Sequence, residues 1–492
     1  VGLSHSVLKS STFMVFGSFF QKSAGLISTL VLARLLMPED FGKVAFLALT
    51  VNFFNVMSIT GTQQYILSKA DVSSDDLNTA FSLDLLMKGA FFCTLFVLSG
   101  VICKFFDMEA VHSALLLLST TLLAKAAMNP GFILHQKELN YAALFKLELI
   151  AKIVSVSAVI IVALRFKSFW AIVIGDLVSS FVLLIGSYTM HRYRPKFSLK
   201  NISNQWDFSK WLFFKGMIGY SKSNLDQVFV TKMFDSATIG GFYLARDIAM
   251  MPAYDLLNKA LVPLLPALAQ SQKNHELFNY KISFSIFFVN ILAFPIAAVM
   301  LVAADSIILT LLGEQWVHVA DIFKTFVPLM YFACLAPIFA HALVSRQKVK
   351  ITFWVDVVAL FLHLVPFVIL NNIILTDVVM IRSVSLFFSL LILVSSLYFV
   401  SRFLPFRALG LSFFPFVSSC LALWIVNNYI NGSPSLYTLV IKTSLIAVLY
   451  GATTLMIAYI YREVREVKDL QRLFQPLAFR LANLFHSKGR DT

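Results

Sequence analysis

Runs of about twenty consecutive apolar residues recur from one end of this chain to the other, and no water-soluble core can absorb them. A helix needs roughly 20 such residues to cross the hydrocarbon core of a bilayer. Every backbone polar group is then satisfied within the helix itself. The runs predict spans at Ser11–Leu36, Val44–Ile66, Ala80–Val101, Ala114–Leu134, Tyr141–Leu164 and Phe169–Met190. After a polar stretch they resume at Trp211–Phe234, Ile239–Gln270, Ile282–Ala304 and Ile322–Ser345. The last four are Ile351–Leu370, Val378–Val400, Leu409–Val426 and Leu436–Ile460. The expectation is therefore an all-α polytopic membrane protein with about fourteen transmembrane helices. Composition agrees: 59% of residues are hydrophobic and 13% charged, where a soluble domain carries about 25% charge.

The net charge of +14 could suggest a nucleic-acid partner, but the cations lie mostly in short loops between apolar runs. Nucleic-acid binding is therefore not expected. One set of loops holds His191, Arg192, Arg194, Lys196, Lys200 and Lys210, then Lys273 and Lys281, then Arg346, Lys348 and Lys350, then Arg402 and Arg407. The tail adds Arg462, Arg465, Lys468 and Arg472. The opposite loops, Asp235–Thr238, Asp305–Asp321, Asn371–Asp377 and Asn427–Ser435, contain neither Lys nor Arg. By the positive-inside rule the basic side is cytoplasmic, and both termini belong there. No cleavable signal peptide is evident, and because the chain opens on Val1 a few residues before it are expected to be missing. From Tyr461 onward, Leu470, Leu473, Phe474 and Leu477 fall at helical spacing among basic residues, which fits an amphipathic helix on the inner leaflet or a solvated tail equally well.

A short pattern occurs twice. Arg34-Leu35-Leu36-Met37-Pro38-Glu39-Asp40-Phe41-Gly42 and Lys232-Met233-Phe234-Asp235-Ser236-Ala237-Thr238-Ile239-Gly240 share one spacing of cation, apolar pair, connection, apolar residue and glycine. They stand at equivalent points of two six-helix halves. Parallel repeats of this kind mark several transporter folds, with the substrate between the halves. The expected organisation is an N-lobe over 1–190, a cytoplasmic linker over 191–210 and a C-lobe over 211–400 related to the first by pseudo-two-fold symmetry. Two further helices follow over 401–460, then a cytoplasmic amphipathic tail over 461–492.

Leu32-Ala33-Arg34-Leu35-Leu36 with Phe41-Gly42, and Asn224-Leu225-Asp226 with Gly240-Gly241-Phe242-Tyr243-Leu244-Ala245, resemble the Wzx-like polysaccharide exporters. So do Pro252 with Leu264-Leu265-Pro266-Ala267-Leu268, and Leu312-Gly313-Glu314-Gln315-Trp316. The resemblance is nearest the colanic-acid and teichuronic-acid branch and is strongest from Trp211 to Val349. It implies two six-helix lobes around a central cavity, alternating access, and residence in the bacterial cytoplasmic membrane. It also implies a cargo of undecaprenyl-diphosphate-linked oligosaccharide, carried from the cytoplasmic to the outer leaflet. Polymerase and chain-length proteins of the same pathway would be its partners. In that family helices one, two, four, seven, eight and ten line the cavity, so the resemblance places Lys22 and Lys125 there.

Charges within apolar spans cost about 2.5–3.5 kcal/mol each and require a partner or a cavity. Lys215, Lys222 and Asp226 share one face of the seventh span with Gly219, which fits either a cavity lining or a packing pair. The eighth span carries Arg246, Asp247, Asp255 and Lys259, with Pro252 between them. Asp255 and Lys259 are spaced to pair with each other. Arg246 can fork onto phosphate oxygens and is the better substrate residue. Lys88 with Asp84, and Lys146, Glu148 and Lys152, fit internal pairs or a cytoplasmic mouth. Lys22, Lys125, Lys215, Lys222 and Arg246 are thus the cavity candidates. Asp226, Asp247, Asp255 and Lys259 are the candidates for H+ or Na+ coupling or for permanent ion pairs. Cys93, Cys103, Cys334 and Cys420 show no CxxC spacing and read as small buried hydrophobes, so no metal or other cofactor is expected.

A transporter, not an enzyme, is the expectation. The rivals are a cation-coupled drug antiporter, which would want an acidic cavity, and a lipid II flippase, which differs only in the sugar. A polymerase would want a large arginine-bearing outer loop, which Asp305–Asp321 is not.

Overall fold

The computed structural model describes residues 20–469 apart from 70, 139, 140, 371, 431 and 462. The first residues of the expected span one and the tail positions Leu470 to Leu477 lie outside the described residues. So does the side chain of Lys215. Among the described residues helices account for the regular secondary structure.

Helix α1 is described over residues 20–35. It is followed by α2 (Pro38–Met57), α3 (Thr62–Ser68), α4 (Ser74–Phe105), α5 (His112–Ala126), α6 (Ile133–Lys137), α7 (Tyr141–Phe166) and α8 (Trp170–Met190). Next come α9 (Ile202–Met233) and α10 (Ser236–Met251), a π-helical turn (Pro252–Leu257), and the short α11 (Asn258–Ala260) and α12 (Leu264–Gln270). Then come α13 (His275–Val302), α14 (Ala304–Leu311), α15 (Ala320–Ser345), α16 (Val349–Ile369), α17 (Leu375–Ser401), α18 (Phe406–Tyr429) and α19 (Leu436–Ile460).

The expectation of about fourteen spans in two symmetric six-helix lobes is not met. Among the described residues nine helices are long and apolar enough to cross a membrane: α4, α7, α8, α13, α15, α16, α17, α18 and α19. A tenth arises if the bent pair Glu109–Ala126 and Pro130–Lys137 is one broken span. Apart from α1, of which only residues 20–35 are described, the shortfall falls on the helices that carry charges and prolines. Helix α9 is 32 residues long but holds Lys215, Lys222, Asp226 and Lys232. Asn52 and Asn55 dilute α2, and Pro252 divides the eighth expected span into an α-helix, a π turn and short pieces. Apolar runs alone overcount, because a polar helix flanked by apolar neighbours reads as one more run.

Helix ends follow local chemistry. Ser73 and Asp76 form a capping box at the start of α4: the Asp76 amide donates to Ser73 Oγ at 3.2 Å and the Ser73 amide donates to Asp76 Oδ2 at 3.0 Å. Asn274 caps α13 by accepting from the Leu277 amide at 2.9 Å. Exposed faces are strongly apolar, as at Val97 (75%), Val368 (75%) and Phe399 (76%), because lipid is their solvent.

The chain divides into two compact units, Val1–Leu244 and Ala245–Thr492. In the first, the twice-occurring pattern comes together. A Cβ on Gly42 would lie 1.8 Å from the Ser236 carbonyl oxygen, and one on Gly240 would lie 2.2 Å from the Pro38 carbonyl oxygen. Each copy's glycine thus admits the backbone of the other, a close approach that only glycine permits. Helices α7 and α8 also pack closely: a Cβ on Gly175 would sit 2.2 Å from Val159 Cγ2.

In the second unit, polar side chains bridge apolar helices. Asn290 Nδ2 donates to Ser412 Oγ at 2.8 Å, and Tyr331 Oη donates to Asn290 Oδ1 at 3.0 Å. The described start of the tail packs here as well. Val467 joins Phe287 and Ile291 in the core, and the buried Glu466 pairs with Arg407 at 2.9 Å.

Candidate functional site

Within the first unit, side chains from six helices form a charged constellation among apolar walls. Helix α4 supplies Asp84 and Lys88, which pair with each other at 2.5 Å. Asp84 also accepts from Thr60 Oγ1, and from Thr62 Oγ1 at 3.0 Å. Helix α5 supplies Lys125, whose Nζ donates to Asn55 Oδ1 on α2 at 3.3 Å. Helix α7 supplies Glu148 and Lys152, α8 supplies Asp176, and α1 supplies Gln21 and Lys22. Gln21 Nε2 donates to Glu148 Oε2 at 2.6 Å. A Cβ on Gly25 would lie 3.5 Å from Lys152 Nζ, ordinary van der Waals contact, so that ammonium sits beside α1.

Asp176 is the hub. It interacts electrostatically with both Lys125 and Lys152. Lys88 repels Lys125, and Lys22 repels Lys152. Asp176 is reachable by water yet enclosed by protein on most sides, as a side chain lining a crevice is. Lys125 and Lys152 are half-buried. Four lysines therefore face three carboxylates, an excess of cation held in low dielectric, where charge acts over longer distances than in water.

Lys22 and Lys125, placed in a cavity by family resemblance, do belong to one constellation. It is completed by Lys88 and Lys152, whose sequence spacing left local pairing open. Asp176 was not anticipated. The available signal was its position as the lone charged residue inside the apolar run Phe169–Met190.

On α9, Asp226 is fully buried and Lys222 half-buried. Among the described residues nothing lies within 4 Å of a Cβ built on Gly219, so that face borders open space rather than a packed helix. The adjoining strip of α9 packs on α2: Tyr220 Oη donates to the Leu49 carbonyl at 2.8 Å, and Gln227 Nε2 donates to that of Ala45 at 3.4 Å.

In the second unit Lys259 and Asp255 pair at 3.5 Å, Asp255 lying inside the π turn that opens at Pro252. Arg246 is half-buried and Asp247 exposed on α10. Arg382 on α17 is 8% exposed, a buried cation that the sequence reading did not single out. His363 is buried with its ring against Phe367. Two of the four cysteines, Cys93 and Cys420, are exposed rather than buried, on membrane-length helices where a thiol meets lipid as a small hydrophobe. Among the described residues no group of three or more His, Cys, Asp or Glu side chains is arranged to hold a metal.

Comparison with known proteins adds the lineage. A family model described as "Polysaccharide biosynthesis protein" matches residues 31–321. The chain is 23% identical to the lipopolysaccharide biosynthesis protein WzxC of Escherichia coli, over 70% of this chain and 71% of that one. It is 22% identical to the succinoglycan biosynthesis transport protein ExoT of Rhizobium meliloti, over 58% and 59%. It is 19% identical to the teichuronic acid biosynthesis protein TuaB of Bacillus subtilis, over 63% and 65%. In fold it is similar to the lipid II flippase MurJ in an inward closed conformation, with a TM-score of 0.76 and 13% identity over 92% of this chain and 99% of that one. A second fold likeness is to an inward-facing multidrug resistance transporter of the MATE family and MOP superfamily, with a TM-score of 0.59 and 11% identity over 80% and 95%. The chain belongs to the polysaccharide biosynthesis protein family, as a Wzx-like membrane transporter rather than an enzyme.

Proposed function

We propose that the protein moves a polyprenyl-diphosphate-linked glycan across the bacterial cytoplasmic membrane by alternating access, with both termini in the cytoplasm. The observation that carries this reading is the lysine-rich constellation around Asp176. A headgroup with two phosphates cannot enter hydrocarbon, because desolvating its charge costs many kcal/mol. Lys22, Lys88, Lys125 and Lys152 replace that hydration; Asp84 pairs with Lys88, and Asp176 attracts Lys125 and Lys152, which positions those ammonium groups in the empty state. Lys222 on α9 is a further half-buried cation of the same unit. Asp226 and Asp176 are the carboxylates best placed to carry H+ or Na+ through the cycle, whereas Asp255 is held by Lys259.

Two cargoes share this chemistry. Family membership and the named relatives favour the repeat unit of a surface polysaccharide. The fold likeness to a lipid II flippase, spanning nearly all of that chain, favours lipid II. Drug antiport is supported by the weaker fold likeness to the MATE transporter.

Proteoliposomes with fluorescent polyprenyl-diphosphate glycans in one leaflet discriminate among these readings. Protein-dependent movement of an oligosaccharide repeat unit or of lipid II identifies the cargo, and its response to pH and sodium gradients identifies the coupling ion. Uptake of cationic dyes with no glycolipid movement would overturn the flippase reading.

A further inference from the structure

Where α8 ends, a cavity of about 720 Å³ opens, lined by Ala127, Leu184, Ile185, Tyr188, Thr189 and Arg194. It belongs to none of the charged constellation above. Two features of the chain make it. The first is the break between α5 and α6: Pro130 cannot continue the helix, and the two pieces meet at 64°. The freed Ala127 carbonyl accepts from Tyr188 Oη at 2.9 Å, and the Asn129 amide donates to Ser187 Oγ at 3.0 Å. The bend is therefore pinned open against α8. The second feature is a stripe on α8 at helical spacing, Phe181 (45% exposed), Ile185 (62%) and then the exposed Thr189, which runs down to the helix end.

Arg194 closes the polar end of this groove. Its Nη1 donates to the carbonyls of His191 and Tyr193, both at 2.8 Å, and its guanidinium lies 5.6 Å from the centroid of the Tyr188 ring. The head is thus fixed before any ligand arrives, with Nη2 and Nε remaining as a fork. A planar fork of this kind matches phosphate oxygens. Arg192 and Lys196 on the same connection add positive charge, on the side that the positive-inside rule makes cytoplasmic, whereas Lys200 is paired with Asp75 at 3.2 Å.

We infer that this groove is a binding site for an anionic glycerophospholipid of the inner leaflet, with its phosphate on Arg194 and an acyl chain along Ile185 and Phe181. The charge selects an anionic headgroup, the apolar exposed stripe selects a chain, and a basic pocket between membrane helices at headgroup depth is where such lipids bind. Bilayer lipid is also the one amphiphile present at that depth throughout the transport cycle.

The test is native mass spectrometry of the full-length protein, purified in detergent and offered equimolar phosphatidylglycerol and phosphatidylcholine with matched chains. The wild type retains phosphatidylglycerol at least fivefold over phosphatidylcholine. Arg194→Gln loses that preference, and Ile185→Trp, which fills the groove and leaves the arginine, loses retention of both lipids. Equal retention of the two lipids by the wild type would overturn the inference, as would an unchanged preference in both variants. If polyprenyl phosphate displaces phosphatidylglycerol at equal concentration, the groove serves the cargo's lipid and the inference fails.

Discussion

Asp176 and Lys125 carry opposite charges into the same crevice, so their substitutions should act in opposite directions on an anionic cargo. Lys125→Gln removes a cation whose loss is worth about 1.4 kcal/mol, a tenfold weakening, at the intermediate dielectric of a half-buried site. Asp176→Asn removes competition for the lysines and should tighten binding of a diphosphate while slowing its release. Equilibrium binding checks the two affinities, and flipping at saturating cargo checks the slowed release. His191, just beyond α8, gives a prediction of another kind. Burial first, then the neighbouring His135 ring 5.3 Å away, pushes its pKa below the ordinary histidine value. The folded state thus prefers the neutral ring. The stability this contributes is complete above the unfolded pKa and is lost as pH falls through the ordinary histidine range toward the folded value. Thermal unfolding in detergent should shift downward between about pH 7.5 and 5.5, and His191→Gln should flatten that part of the dependence. Lys22 and Lys125 were singled out in the sequence because the family resemblance places their helices at the cavity. Asp176 was not, because a lone carboxylate shows no partner in its own run: Lys125 and Lys152 come from other helices.

At the scale of elements, the repeated pattern was the most informative short feature of the sequence, and its physical content emerges only in three dimensions. Gly42 and Gly240 sit against each other's connecting segments. Any Cβ there must displace backbone rather than a flexible side chain. Gly42→Ala and Gly240→Ala should each destabilise by at least about 1–3 kcal/mol, the usual cost of overpacking. The readout is a lowered midpoint in thermal unfolding of the detergent-purified protein, whereas Gly451→Ala, inside α19 where a Cβ meets nothing within 4 Å, should not lower it. Pro252 lacks the amide that an i→i−4 bond needs, and a π turn opens at it. The break at Pro130 was missed, because the apolar run Ala114–Leu134 continues through it and hydropathy carries no information about direction.

For the whole molecule, apolar runs identified an all-helical membrane protein but overstated its spans, since nine or ten of the described helices meet the length and hydropathy that crossing requires. The remaining helices, α2 and α9 among them, bear the asparagines, lysines and buried aspartate that a transporter needs and a lipid-facing span does not. The central claim is that the lysines around Asp176 hold the diphosphate of a lipid-linked glycan, and equilibrium binding of labelled polyprenyl diphosphate to the purified protein tests it most directly. The account predicts about tenfold weaker binding for Lys125→Gln, tighter binding for Asp176→Asn, and little binding of the uncharged polyprenol by any form. Equal affinities across the wild type and both variants, or equal binding of polyprenol and its diphosphate, would contradict it.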